Sequence, residues 1–233
     1  EALLPKMELR CIVCRHSDGR SGFKIYTSEC QFGGGHLERY QCPNCDAIFG
    51  PQKYLDLDDS FVTADYDLLC SRYSEGDSTE VELNTFRSTS PQAGLLYLNW
   101  GCGSWSKTIP QLRAQGFDVW GYEPSAEESH GAIVKTRDEI MAKFHAIFSN
   151  NVIEHFRDPI AQFEDFRNVL TDDGIMAHSS PCYDYTYAFT RFHTLFLLGK
   201  SPYVLAERTG FSAREASRDR TYINFVFERL PGT

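Results

Sequence analysis

From residue 94 onward, short apolar runs alternate with stretches of helical period. That alternation predicts an α/β fold built on a mostly parallel sheet. Gly94-Leu95-Leu96-Tyr97-Leu98 reads as a buried strand, followed at once by Gly101-Cys102-Gly103. Ile109 and Leu112 then share one helix face, and Gly116 marks the end of that helix. Val119-Trp120-Gly121-Tyr122 is a second strand ending at Glu123, Ala132-Ile133-Val134 a short third, and Phe144-His145-Ala146-Ile147-Phe148 a fourth. Asp158-Pro159 predicts a helix start, with Asp158 as cap and a proline in the first turn, where a missing N–H costs nothing. The inner face of that helix carries Ile160, Phe163, Phe166 and Leu170, and Gly174 is its expected stop. Ile175-Met176-Ala177 opens a fifth strand. The alternating Thr221-Tyr222-Ile223-Asn224-Phe225-Val226-Phe227 predicts a late antiparallel strand at or near a sheet edge.

The front of the chain is patterned differently. Residues 1–51 are rich in Cys and Gly, and the alternating segments Phe23–Tyr26 and Leu37–Tyr40 predict a hairpin. Cys11-Ile12-Val13-Cys14 and Cys42-Pro43-Asn44-Cys45 flank it. Zinc takes four deprotonated soft ligands in a tetrahedron, and each Cys-x-x-Cys turn places two thiolates on one side. A small zinc-ribbon module held by Cys11, Cys14, Cys42 and Cys45 is therefore expected. Four thiolates close the coordination shell, so its role is structural. The gap between the pairs exceeds the usual ribbon range of about 15 to 20 residues, which lengthens the hairpin. Cys30, His16 and His36 lie near enough in sequence to be reserve ligands. Residues 52–93 are acidic and polar, with the turn-rich Ser74-Glu75-Gly76-Asp77-Ser78. They read as a partly helical connector whose Phe61, Tyr66 and Tyr73 pack on the following domain or over its ligand. Residues 94–233 form that domain.

Hydrophobic residues are 42% of the chain and charged residues 24%, so most of it should fold. The formal net charge is −9 and no dense Lys/Arg run occurs, which disfavours nucleic acid as a partner. The longest aromatic–aliphatic stretch, Thr194–Leu198, falls far short of the roughly 18 residues of a membrane span. Glu1–Pro5 lacks a basic segment followed by a long apolar core, so no signal peptide is expected. A cytoplasmic protein with reduced cysteines is the expectation. No pattern fixes an oligomeric state.

The chemistry-bearing signal of the α/β part is Leu98-Asn99-Trp100-Gly101-Cys102-Gly103-Ser104, between a strand and a helix. Glycines there let the backbone turn tightly and approach a ligand closely. Glu123, about twenty residues on at the next strand end, is placed to accept ribose hydroxyls. At this point the chain resembles the class I methyltransferases that use S-adenosylmethionine, whose loop usually reads Asp-x-Gly-x-Gly-x-Gly. The resemblance continues in Phe144-His145-Ala146-Ile147-Phe148, in Val152-Ile153-Glu154-His155 and in Asp158-Pro159, where the family has Phe-Asp-x-Ile, Val-Ile/Leu-Glu-His and Asp-Pro. Leu170-Thr171-Asp172-Asp173-Gly174 is similar to its Leu-x-Pro-Gly-Gly turn. It spans roughly residues 94–212 and implies a Rossmann-like sheet, with Asn99, Gly101, Gly103, Glu123, Asn150 and Asn151 at the cofactor. With a zinc ribbon in front, the chain is similar to sugar C-methyltransferases of deoxysugar pathways and to polysaccharide-locus enzymes. Asn99 stands where the family has Asp, Trp105 where it has the last Gly, and His145 where it has the strand-four Asp.

Transfer to a hydroxyl or carbon acceptor needs a proton removed. His155 follows the fourth strand, at the edge where open α/β sheets bind ligands, and is the first candidate catalytic residue. His193 is the second and His178 an alternative. Tyr183, Tyr185 and Tyr187 are candidate walls of a small-molecule pocket, within an aromatic insertion from Asp184 to Gly199. Cys102 reads as a small filler in its loop. The leading reading is methyl transfer to a small hydroxylated molecule such as a sugar or nucleotide-sugar. Two others stay open: a weak or inactive methyltransferase-like binding module, and a nicotinamide-dependent oxidoreductase, against which Ser106 replaces the third glycine of Gly-x-Gly-x-x-Gly.

Overall fold

The structure, a computed structural model, describes residues 8–70, 76–104 and 106–232. Glu1–Pro5, Tyr73, Ser74, Glu75 and Trp105, all singled out above, lie outside the described residues. Strands β1 (Glu8–Arg10) and β2 (Ser17–Gly19) pair around the first cysteine turn. β3 (Lys24–Cys30) and β4 (Gly35–Gln41) form the expected hairpin, with Tyr26 opposite Arg39, and β5 (Ile48–Phe49) follows the second cysteine turn. The connector holds helices α1 (Gln52–Leu55), α2 (Asp59–Cys70) and α3 (Thr79–Arg87). Then come β6 (Leu96–Trp100), α4 (Thr108–Ala114), β7 (Asp118–Tyr122), β8 (Ile133–Val134) and β9 (Phe144–Asn150). α5 (Pro159–Val169), β10 (Leu170–Ser180), β11 (Leu195–Phe196), α6 (Ser201–Thr209), β12 (Phe211–Asp219) and β13 (Tyr222–Arg229) complete the chain.

Seven strands form the main sheet in the order β12-β13-β10-β9-β6-β7-β8. Every pairing from β10 to β8 is parallel, while β13 runs antiparallel to both of its neighbours. The late strand is thus antiparallel and one place from the edge, as its alternation predicts. Period two splits each strand between two cores. Tyr97, Ala146, Phe148, Ala177 and Val226 face α3 and α4, where Leu83, Phe86, Ile109 and Leu112 are buried. Leu98, Ile147, Met176, Phe225 and Phe227 face the other way, toward α5, α6 and the cysteine-rich module.

Asp158 caps α5 as expected, its carboxylate accepting the Ala161 N–H at 3.2 Å. The far end of that helix differs from the expectation. α5 stops at Val169, and Leu170 is already extended (φ −81°, ψ 152°), pairing with Phe144 as the first residue of β10. Its side chain is buried all the same, so the apolar spacing that looks helical belongs to a strand. Gly174 sits in the irregular stretch before Ile175, where a Cβ would lie 2.8 Å from that of Leu170. It makes room for the bulge and does not stop the helix. β6 likewise starts at Leu96, two residues later than predicted, and runs through Asn99 and Trp100. α6 and β12 carry weak sequence signals. α6 ends on Gly210 at φ 79°, and β12 is a charged, largely exposed edge strand. Phe61 is 66% exposed on α2 and does not pack on the domain, whereas Tyr66 does.

β11, inside the stretch read as an insertion, pairs antiparallel with β5, so the front module's sheet is β11-β5-β4-β3. Arg39 on β4 is fully buried, and its guanidinium donates to the carbonyls of Ala188, Thr190 and His193. Arg15 reaches across to Asp158 at 2.8 Å.

His178, one of the alternative bases, lies in the core and not at the sheet's carboxyl edge. It has no exposed surface, stacks on Phe166 at 5.5 Å and shares a 2.7 Å hydrogen bond with the Ser149 hydroxyl. Burial holds its pKa down to about 3. Because the folded pKa lies below the unfolded one, the neutral ring's contribution is present above pH 6.5 and is lost as pH falls from there toward 3. Between pH 7 and pH 5 this loss is about 2 kcal/mol for one such group. Urea unfolding at the two pH values should show His178→Phe losing less stability than wild type by about that amount. Equal losses would mean that the ring is not excluded from water.

Candidate functional site

The two cysteine turns are built alike. In each, the first cysteine's N–H donates to the carbonyl five residues on, from Cys11 to His16 and from Cys42 to Ala47. In each, its carbonyl accepts from the residue four on, Arg15 or Asp46, and both of these have positive φ, 63° and 70°. The repeated geometry brings all four thiols together. Cys11 and Cys45 Sγ are 3.6 Å apart and Cys14 and Cys42 Sγ 3.5 Å. Thiolates bound to one zinc at about 2.3 Å stand about 3.8 Å apart, so the cluster already has nearly the size that the ion requires. Far from the roughly 2.05 Å of a disulfide, the four cysteines are free. The reserve ligands go elsewhere: Cys30 contacts Arg191, His36 pairs with Glu29 at 2.9 Å and His16 packs on Phe23.

The glycine loop lies where β6 gives way to α4. Gly101 and Gly103 have φ of 69° and 71°, a region that favours glycine. A Cβ on Gly101 would come within 2.7 Å of Val152, so the loop and the turn after β9 touch there. Glu123 is nearly buried and its carboxylate organises the loop: Oε2 accepts the Gly103 N–H at 2.8 Å, and Oε1 accepts the Ser125 N–H and hydroxyl at 2.9 and 2.6 Å. A carboxylate has about four lone-pair positions, so three donors leave room for little more than one ligand hydroxyl unless Ser125 turns away. Cys102 is buried against Gly121, as a filler should be.

Asn99 has a local reason. Its amide donates to Glu82 Oε2 at 3.0 Å, both side chains being buried. An aspartate there would set two carboxylates against each other, which is costly at low dielectric. Glu82, on a polar connector helix, was not legible as a site residue. Asn150 ends β9 at the same edge and Asn151 follows it. Asn151 takes φ 56°, and its Nδ2 donates to the Tyr222 hydroxyl at 3.3 Å. The Oδ1 atoms of both asparagines are buried without a donor. Such acceptors suit a ligand that brings N–H or O–H groups. Next to them a cavity of about 340 Å³ opens between α3 and β13, lined by Arg87, Ser88, Ser179, Asp219, Tyr222 and Asn224, none singled out for a pocket in the sequence.

His155 and His193 come together across this edge, ring centroids 5.0 Å apart. His155 belongs to a short helical turn after β9 and hangs from Val152 by its N–H, three residues from the contact with Gly101. Arg39 fixes the segment that carries His193, and the Thr194 N–H donates to the Glu154 carbonyl at 2.8 Å. Burial lowers the pKa of His155 to about 4. Burial and the neighbouring His155 lower that of His193 to about 3. Both rings are therefore neutral at pH 7. Glu154, buried to 1% exposure, brings a carboxylate oxygen within 4.8 Å of a ring nitrogen of each. The tyrosines separate: Tyr183 stacks on Phe225 in the core, Tyr185 packs between Tyr26 and Phe196, and Tyr187 is exposed.

Among solved structures, a 1,6-didemethyltoxoflavin-N1-methyltransferase from Burkholderia thailandensis is similar at a TM-score of 0.53. It is 14% identical over 89% of this chain and 99% of its own. A magnesium protoporphyrin IX methyltransferase from Synechocystis is similar at a TM-score of 0.48 and 16% identity, over 75% of this chain and all of its own. At such identities the first likeness bears on fold alone. No curated protein sequence matches the chain. The family described as a methyltransferase domain matches residues 82–221, from α3 to the last hairpin. That span exceeds half of the 233 residues, and the chain belongs to the methyltransferase-domain family.

Proposed function

We propose that the chain is an S-adenosylmethionine-dependent methyltransferase acting on a small hydroxylated molecule, a sugar or nucleotide-sugar by class, with one structural zinc in its N-terminal ribbon. The observation that carries this reading is the meeting at one sheet edge of the Gly101–Gly103 loop, Glu123 and the two donor-seeking asparagines. Ligands of open α/β sheets lie beyond the strands' carboxyl ends, and this is that edge. When bound, the cofactor supplies an activated methyl group and leaves without its positive charge. The protein's part is alignment. Glu123 holds the ribose side, Gly101 and Gly103 allow the backbone to approach, and Asn150 and Asn151 accept from the ligand's donors. His155 and His193 handle the proton that the acceptor's hydroxyl gives up. The net charge of −9 supports a small acceptor over a polyanion.

Glu123→Ala removes a charge-assisted hydrogen bond to the cofactor worth about 1.5–3 kcal/mol. Cofactor affinity should fall at least about tenfold. Glu123→Gln, which keeps the acceptor oxygen but not the charge, should fall between. Equal calorimetric affinities for wild type and Glu123→Ala would remove Glu123 from the site. One observation favours a second reading: Glu123's oxygens are already largely engaged by Gly103 and Ser125. A binding module without turnover is distinguished by cofactor that binds yet transfers its methyl to no acceptor.

A further inference from the structure

The Glu154, His155 and His193 side chains lie together at the carboxyl edge, 1% exposed in one case and half-buried in the others. One ligand-capable atom from each lies within 4.8 Å of the other two. Beyond proximity, each ring has its tautomer fixed by a backbone carbonyl. His155 Nδ1 is 3.1 Å from the Phe192 carbonyl, and His193 Nδ1 is 2.9 Å from the Tyr187 carbonyl. A carbonyl can only accept, so both Nδ1 atoms carry the proton and both Nε2 atoms keep their lone pair. A backbone carbonyl on the distal nitrogen is the usual outer partner of a ligating histidine, and it fixes both tautomer and ring direction. The segment bearing His193 is itself fixed, by Arg39 on its carbonyls and by Thr194 on Glu154.

We propose that Glu154, His155 and His193 bind a divalent first-row transition ion, separate from the ribbon zinc. Two imidazoles and a carboxylate suit such ions and leave coordination positions open. Ligands about 2.0–2.2 Å from an ion stand about 3.4 Å apart across a tetrahedral angle, so the trio closes on it by a movement of about an ångström. Cys182 does not compete. Its thiol lies 3.7 Å from His193 Nδ1, the nitrogen committed to Tyr187. The ion's binding stands on this geometry alone; its use rests on the methyl-transfer reading. With the ion bound, the two imidazoles would serve as its ligands and not as bases: an acceptor hydroxyl on an open position would be acidified and lose its proton to solvent, and its oxygen would bond to the methyl carbon as the carbon–sulfur bond breaks and neutral S-adenosylhomocysteine leaves.

The test is zinc stoichiometry of the full chain after equilibrium dialysis against buffered zinc, without cofactor or acceptor. Wild type should hold two equivalents, and Glu154→Gln and His193→Gln one each, the ribbon zinc remaining. A wild type that saturates at one equivalent overturns the inference, as does a second equivalent that both variants keep. Should the variants not fold, cobalt titration of wild type decides. Its second equivalent should add d–d absorption without further thiolate charge-transfer absorption; added thiolate absorption would place the ion on cysteines and overturn the proposal. Cofactor binding by the same wild-type protein, measured in parallel, separates failure of this inference from failure of the methyltransferase reading.

Discussion

Cys42→Ser should unfold the N-terminal ribbon and lower the chain's melting temperature by about 10 °C or more. Structural zinc contributes about 10–16 kcal/mol of apparent binding free energy in ribbon-sized peptides, and in such modules that energy is folding energy. Loss of even about 4 kcal/mol of it shifts the midpoint of a chain this long by roughly that much. The damage should also travel. β5, directly after the second cysteine turn, pairs with β11, and Arg39 on β4 holds the carbonyls of Ala188, Thr190 and His193. Hydrogen exchange should therefore show lost protection at residues 190–196, more than 140 residues away in sequence, as well as at 8–50. His36→Gln, outside the four-thiol cluster and exposed in its pair with Glu29, is the control and should leave both unchanged. Protection at 190–196 that survives Cys42→Ser would show that the domain holds this segment without the ribbon.

His155→Asn should lower turnover by about a hundredfold or more and leave cofactor affinity nearly unchanged. The ring lies next to His193 and Glu154, on the side proposed for the acceptor, and its N–H donates to Val152, which touches the glycine loop. The asparagine side chain keeps a donor for the Phe192 carbonyl but offers no imidazole nitrogen beyond it. Single-turnover methyl transfer to a panel of nucleotide-sugars, with calorimetry on the cofactor, separates the two effects. Full turnover in the variant would remove His155 from the chemistry. A matching fall in cofactor affinity would make its role that of holding the loop.

Strands β6, β7 and β9, the capped start of α5 and the hairpin between the cysteine pairs were legible because each is set by neighbours in sequence. Alternation, a cap followed by proline, and paired Cys-x-x-Cys turns are local signals. Leu170 shows where such signals stop. Its spacing from Phe166 fits a helix, but pairing with Phe144, decided by the sheet, makes it a strand residue. Glu82 and Arg39 were hidden for the same reason. Each looks like a solvated charge on an amphipathic element, and only the fold sets Glu82 against Asn99 and Arg39 against three carbonyls. The histidines divide likewise. His155 and His193 meet although 38 positions part them, while His178, equally plausible in sequence, is enclosed by Phe163, Phe166 and Phe227.

Calorimetric titration of the full chain with S-adenosylhomocysteine and, separately, with a nicotinamide dinucleotide bears most directly on whether the sheet edge at Gly101, Gly103 and Glu123 is a methyl-donor site. Saturable one-to-one binding of S-adenosylhomocysteine, weakened at least about tenfold in Glu123→Ala, with no binding of the dinucleotide, is the expected result. Binding of the dinucleotide instead, or of neither ligand, would contradict it.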